Sequence, residues 1–364
     1  MAEVFITTVS SRMKACLWQN LVSRQGSKYS RASIPEDEGA ASDRFRSKNT
    51  SVTKTFRRKS NLSFEMSKET SNLCVGGFIS SDNKKQVFSP EPKVIIGTSG
   101  FSYPHWGKGV FYPRSLTQAK WFEYYCQHFE TVELNVSFYR LPKKKTFVGW
   151  RQRAGKDFVF SVKGSRYITH IKKLKECREP VKKFFKAASP LLGGLTSWEV
   201  RPRQVMLWQL PPRFKANVER LSDFLQFLPH FWTEPQAQHH SGSVKHRGWR
   251  HAFEFRDKSW LNREVYKLLR KYNAAVVFQE NPGWPITEKI TADFVYLRFH
   301  GRAHLYSSCY TENELKNWAK KIKSWQKKGL DCFAYFNNDA LGYAVENAQK
   351  LRQLVRLEPR KVSC

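Results

Sequence analysis

Two glutamates, Glu133 and Glu254, sit inside short apolar runs, and each is followed two residues later by another polar group, Asn135 and Arg256. A spacing of two puts each pair on one face of an extended strand. Other apolar runs end in Lys163, Gln209, Arg298-Phe299-His300 and Asn337-Asn338. Residues of these types, brought together, make a candidate active site. Glu133 or Glu254 would serve as general base or acid, His300 would shuttle a proton, and Lys163, Arg256 and Arg298 would hold anionic oxygens. Asn135, His170, Gln209, Asn337 and Asn338 would supply further binding groups. Two glutamates also suit glycoside hydrolysis, which needs carboxyl groups about 5 to 9.5 Å apart. The competing reading is a satisfied buried network in which Glu133 and Glu254 face Arg256, Arg298 or Lys163 with no catalytic role. Glu133, His170, Glu254 and His300 carry donor atoms, but no tight His/Asp spacing joins them, so no metal site is expected. Gly97-Thr98-Ser99-Gly100-Phe101 lacks the last glycine of a nucleophile elbow. No motif names a cofactor. Asp339 reads most simply as a helix N-cap.

The elements that must position these groups are eight apolar runs: Val94–Gly97, Thr131–Val136, Phe158–Val162, Val205–Leu210, His251–Phe255, Ala274–Phe278, Phe294–Phe299 and Cys332–Phe336. Most are followed by a helical pattern, and strands alternating with helices argue for parallel βα units. Eight such units predict an α/β fold, a (β/α)₈ TIM barrel, with its chemistry at the carboxyl ends of the strands. Ser115-Leu116-Thr117-Gln118 and Thr311-Glu312-Asn313-Glu314 read as capping boxes opening the first and seventh helices. Helices are further expected over 147–153, 174–188, 218–228, 262–272 and 341–355. Asn281-Pro282-Gly283-Trp284-Pro285 leaves little room for a sixth. Residues 231–250, with three histidines and no period, read as a loop inserted before strand five.

The 364 residues carry 63 basic and 31 acidic side chains, a formal net charge of +32. Residues 1–90 hold 15 of the basic and 8 of the acidic groups, so most of the excess belongs to the remainder. Charge of this sign suits nucleic acid or a phosphorylated small molecule as partner, or else a solvated basic surface. Lys143-Lys144-Lys145 and Lys172-Lys173 fall after strands two and three, where with Lys163, Arg166, Arg298 and Arg302 they would form a basic funnel. Phe101, Tyr103, Trp106, Tyr139, Tyr167 and Tyr306 lie near it in sequence and suit stacking on bases or sugars. Seven cysteines show no C-x-x-C pair, which fits reduced thiols. No run approaches the length of a membrane span. Residues 1–90 are Ser- and Arg-rich without apolar period, and before Glu36 their only acid is Glu3. They read as a disordered leader, an organellar transit peptide for plastid or mitochondrion, with a cytoplasmic tail as the alternative. The folded domain is expected over 91–364.

The ordered set Ile96-Gly97-Thr98-Ser99-Gly100-Phe101-Ser102-Tyr103, Trp106, Phe111-Tyr112-Pro113, Thr131-Val132-Glu133-Leu134-Asn135 and Ser137-Phe138-Tyr139-Arg140-Leu141-Pro142 resembles a known family. So do Phe160-Ser161-Val162-Lys163, Thr169-His170, Gln209-Leu210-Pro211-Pro212, Ala252-Phe253-Glu254-Phe255-Arg256, Ser259-Trp260, Tyr296-Leu297-Arg298-Phe299-His300-Gly301 and Tyr335-Phe336-Asn337-Asn338. Together they are similar to the YecE-like family, domain of unknown function 72, from about Lys93 to Leu354. The resemblance implies a TIM barrel and imports no reaction; the leader and the 231–250 insertion depart from the compact family pattern. The expected function is an enzyme acting on a phosphate-bearing or nucleic-acid substrate at the strand-end rim. The alternatives are a non-catalytic nucleic-acid-binding module and a carbohydrate-active barrel.

Overall fold

Eight apolar runs become eight strands: β1 (Val94–Ser99), β2 (Thr131–Leu134), β3 (Val159–Lys163), β4 (Val205–Gln209), β5 (Arg250–Glu254), β6 (Ala274–Glu280), β7 (Phe294–Phe299) and β8 (Asp331–Phe336). In the computed structural model each pairs in parallel with the next, and β8 returns to β1, closing the barrel. The structure describes residues 92–193, 203–229, 248–281, 283–302 and 305–356. The expectations for the 1–90 leader, and nearly all of the 231–250 insertion, lie outside the described residues.

Around the barrel run α1 (Trp121–His128), α2 (Lys144–Arg153), α3 (Arg178–Ala188), α4 (Val218–Gln226), α5 (Arg263–Lys271), α6 (Glu312–Lys327) and α7 (Tyr343–Arg356). Among the described residues no helix joins β6 to β7, as the Pro- and Gly-rich connection suggested. The Thr311 capping box forms: its hydroxyl accepts from Glu314 N–H at 3.3 Å, and Thr311 N–H donates back to the Glu314 carboxylate at 2.8 Å. The Ser115 box does not. A 3₁₀ turn over Gln118–Lys120 intervenes, and α1 starts only at Trp121 with no side-chain cap. Trp121 stacks on Tyr112 with ring centroids 4.7 Å apart, so aromatic packing sets that entry.

Strand alternation splits the core in two. Outward residues such as Val132, Trp208, Phe253 and Leu297 pack under the helices. Inward residues, among them Ile95, Val205, Leu207, Ala275, Phe294, Tyr296, Phe333 and Tyr335, fill the barrel. The amino-terminal end is closed by Arg250, whose Nη1 lies 2.7 Å from the buried Asp331 carboxylate, which also accepts Lys93 N–H at 2.7 Å. Side chains fill the lower barrel, and the cavity that could take a ligand lies at its carboxyl-terminal mouth. Gly97 sets the spacing there, since a Cβ at this position would stand 2.5 Å from the Thr131 carbonyl oxygen. Gly97→Ala must push β1 from β2, and urea unfolding is expected to show a loss of about 1 to 3 kcal/mol. An unchanged midpoint would mean the strands separate freely at that point.

Candidate active site

Alternation carries Tyr296 and Arg298 of β7, Glu133 of β2, Lys163 of β3, Gln209 of β4 and Glu254 of β5 inward at the mouth. Arg298, 1% exposed, is their hub. Its Nε and Nη2 donate to Glu133 Oε2 and Oε1 at 3.0 and 2.7 Å, a two-pronged clamp. Its Nη1 donates to Glu254 Oε2. Tyr296 adds its hydroxyl to Glu133 Oε2 at 2.7 Å, with the Ser161 hydroxyl 2.5 Å behind it. Gln209 Nε2 and Arg256 Nε donate to Glu254 Oε1 at 2.7 and 3.1 Å.

Both glutamates are wholly buried beneath the cavity floor. Burial alone would raise the Glu133 carboxyl, but the Arg298 guanidinium reverses this and holds it below the usual range. Glu254 is held well below that range against the same burial, by the Arg298 guanidinium first and also by Arg256. Both therefore stay ionised at neutral pH and serve to fix the guanidinium groups above them. The sequence reading of Glu133 and Glu254 as acid and base meets a geometry in which neither reaches open space.

Above this floor lies a cavity of about 900 Å³, within the range of small-molecule sites. Phe101, Tyr103, Tyr139, Trp150 and Tyr306 wall it, and Asn135, Lys163, Gln209, Arg256, Arg298 and Asn337 border it. Arg256 stacks on Trp284, its guanidinium carbon 3.8 Å from a ring centroid. Its terminal nitrogens make no hydrogen bond or ion pair with the described residues. Lys163 Nζ stands 4.2 Å over the Phe138 ring and likewise has no such partner among the described residues. Burial first, then Arg298, lower the Lys163 ammonium from 10.5 to about 7, against the pull of Glu254 and Glu133.

The remaining candidates stand elsewhere. His300 is fully buried between Trp284 and Tyr306, ring centroids 5.3 and 5.6 Å away. Its Nδ1 accepts from Asn337 Nδ2 at 3.1 Å, and its Nε2 lies 3.7 Å from Glu254, beyond hydrogen-bond reach. Burial, then Arg298, lower it to about 4, so the ring is uncharged at neutral pH. His170 is edge-on to Phe138 at 4.9 Å, shares a 2.9 Å hydrogen bond with Thr169, and is lowered to about 4 by burial and then Arg256. Asn338 turns away from the cavity and donates to Ser308 O and Asn347 Oδ1 at 2.9 and 2.8 Å, tying the loop after β8 to α7. Among the described residues no group of three His, Cys, Asp or Glu side chains is arranged to hold a metal ion. Trp106 is buried rather than at the rim. Arg302 turns outward to Glu280 and Glu314, 3.8 and 3.1 Å away.

Sequence reasoning missed a pair. His105, after β1, borders the cavity with its Nε2 3.1 Å from Asp339 Oδ2, after β8, at ion-pair distance though not aligned as a hydrogen bond. Asp339 does not cap α7, which begins four residues later; its Oδ1 accepts from Trp106 Nε1 at 2.9 Å. Burial raises Asp339 to about 6, opposed by Trp106 and His105. The signal for this pair is the adjacency of β1 and β8, which only barrel closure creates.

A family model described as "Protein of unknown function DUF72" matches residues 95–363. The chain belongs to the DUF72 family. This DUF72 chain is 24% identical over 304 residues to UPF0759 protein YunF of Bacillus subtilis, covering 73% of this chain and 95% of that one. It is 32% identical over 138 residues to UPF0759 protein YecE of Escherichia coli, 37% of this chain and 44% of that one. A DUF72 family crystal structure from Thermotoga maritima superposes with TM-score 0.59 at 28% identity, covering 73% of this chain and 100% of that one. One from Enterococcus faecalis does so with TM-score 0.56 at 18% identity, over 73% and 96%, a likeness of fold. No helix among the described residues is long and apolar enough to cross a membrane.

Proposed function

We propose that the barrel mouth is the active site of an enzyme acting on a phosphate-bearing substrate. The observation that carries this reading is the outer end of Arg256, a guanidinium with no further partner among the described residues, beside the Lys163 amine on the floor of an aromatic-walled cavity. Two buried carboxylates balance the two guanidiniums, so a bound phosphate meets donors already fixed in place at low reorganisation cost. The glycosidase alternative needs one protonated carboxyl, and nothing in this network favours one. The test is calorimetric titration with inorganic phosphate and a nucleoside monophosphate. Arg256→Ala is expected to weaken both about 10- to 100-fold, the loss of a charge-assisted hydrogen bond of about 1.5 to 3 kcal/mol. Equal affinity in the variant, or no binding by the wild type, would overturn the reading.

A second reading, in which the phosphate belongs to nucleic acid, is favoured by the rim after β2 and β3. Arg140, Lys143, Lys144, Lys145, Arg166 and Lys173 are all exposed there. Tyr139 and Tyr167 stand among them, 80% and 49% exposed, enough ring face for a base to stack on. Short DNA and RNA strands should then bind with affinity falling steeply with salt. Changing Lys143, Lys144 and Lys145 to alanine should lower the salt slope by roughly 0.9 for each phosphate that is no longer neutralised. Binding without salt dependence would sink this version. The leader carries the organellar proposal on composition alone, and fusing residues 1–90 to a fluorescent reporter would test it; diffuse cytoplasmic signal would refute it.

A further inference from the structure

We propose that Lys163 is the covalent catalyst of this site, forming an imine with the carbonyl carbon of an aldehyde or ketone that also carries a phosphate. The inference rests on the phosphate reading above and adds the reacting group. The geometry is that of an amine at the end of β3 with Nζ against the Phe138 ring at 4.2 Å and its side chain on the cavity wall. Lys163 is only 9% exposed, yet no carboxylate among the described residues stands within ion-pair distance. A buried lysine without an acid partner is costly, and a structural role would have been better filled by methionine.

Its charged surroundings come from every side of the mouth: Arg298 on β7, Glu254 and Arg256 at β5, Glu133 on β2 and His170 after β3. The two glutamates are already committed to the two arginines. What Lys163 senses is burial with guanidiniums nearby, the setting in which an amine is neutral and nucleophilic at neutral pH.

The step balances without oxidant or reductant. The Nζ lone pair forms the C–N bond, and the carbonyl oxygen takes the proton that nitrogen loses, giving a carbinolamine. One further proton converts the hydroxyl to water, the C–O bond breaks, and a cationic iminium on Lys163 remains. His105, which borders the same cavity with Asp339 3.1 Å away, is the group assigned to deliver that proton. The substrate's phosphate, held by Arg256, offsets the iminium charge.

The test uses the full chain with pyridoxal 5′-phosphate, which joins an aldehyde to a phosphate, followed by borohydride reduction and peptide mapping at pH 7. Lys163 is expected to be labelled at least about 10-fold faster than exposed lysines, because far more of it is neutral. Inorganic phosphate should slow that labelling. Lys163→Arg should abolish the label at this site. Label spread evenly over surface lysines, with phosphate still bound, would overturn the imine and leave the phosphate site standing. Lys163 labelled fast by an uncharged aldehyde, with no phosphate binding, would keep the reactive amine and overturn the phosphate reading.

Discussion

Arg298→Ala is expected to destabilise the barrel by about 3 to 5 kcal/mol at pH 7, the cost of leaving buried charges without their partner. Glu133 and Glu254, both 0% exposed, take all three donor nitrogens of this one guanidinium. Their folded pKa values are depressed, so the stability they contribute is present above the usual carboxylate range and is lost as pH falls through the folded values. Without Arg298 burial dominates, the carboxyls move up, and the variant is relieved by acid. The gap between wild type and variant should therefore narrow from pH 7 to pH 4, as read by urea unfolding. Arg298→Lys should rescue little, since one ammonium cannot span two carboxylates. A loss under about 1 kcal/mol would show that the carboxylates find other partners and that Arg298 is not the hub.

Lys163→Met is expected to do the opposite and stabilise the protein. Between about 7 and 10.5 the unfolded chain holds a proton on this amine and the folded chain does not, so wild-type stability rises with pH across that window. At pH 7 the variant, with no amine to discharge, should exceed wild type by on the order of 4 kcal/mol, taking ~1.4 kcal/mol per unit. By pH 10.5 the advantage should have shrunk to the packing difference between the two side chains. The same change should remove imine formation. Stability given up for a reactive group is the expected pattern at an active site. A variant less stable than wild type at pH 7 would mean that Lys163 is charged and paired in the fold.

The strands were legible because a parallel barrel buries them on both sides, so each reads as a compact apolar run ended by polar groups. The pairing of Glu254 with Arg256 was legible too: Glu254 ends β5, and Arg256, two residues on, donates to it at 3.1 Å. Partnership across the barrel was not. Glu133 on β2 could have met Lys163, one strand away, but Arg298 on β7 reaches it across the mouth with a fork that an ammonium lacks. His105 and Asp339 are 234 residues apart and meet only because β8 closes on β1. Asn338 looked equivalent to Asn337, yet alternation sends one toward His300 and the other toward Asn347. The Ser115 box has the right letters, but a 3₁₀ turn follows it and the helix opens only at Trp121, which stacks on Tyr112.

On the proposed reading the barrel mouth works through an amine, Lys163, with no ion-pair partner among the described residues, while Glu133 and Glu254 hold the arginines. The most direct measurement of this is the pH dependence of acetylation at Lys163 in the intact protein, followed by peptide mass spectrometry against the exposed Lys143–Lys145 as internal reference. The expected result is half-maximal reactivity of Lys163 near pH 7, and protection of Lys163 by phosphate. A Lys163 that titrates with the surface lysines and is indifferent to phosphate would contradict this chemistry at its centre.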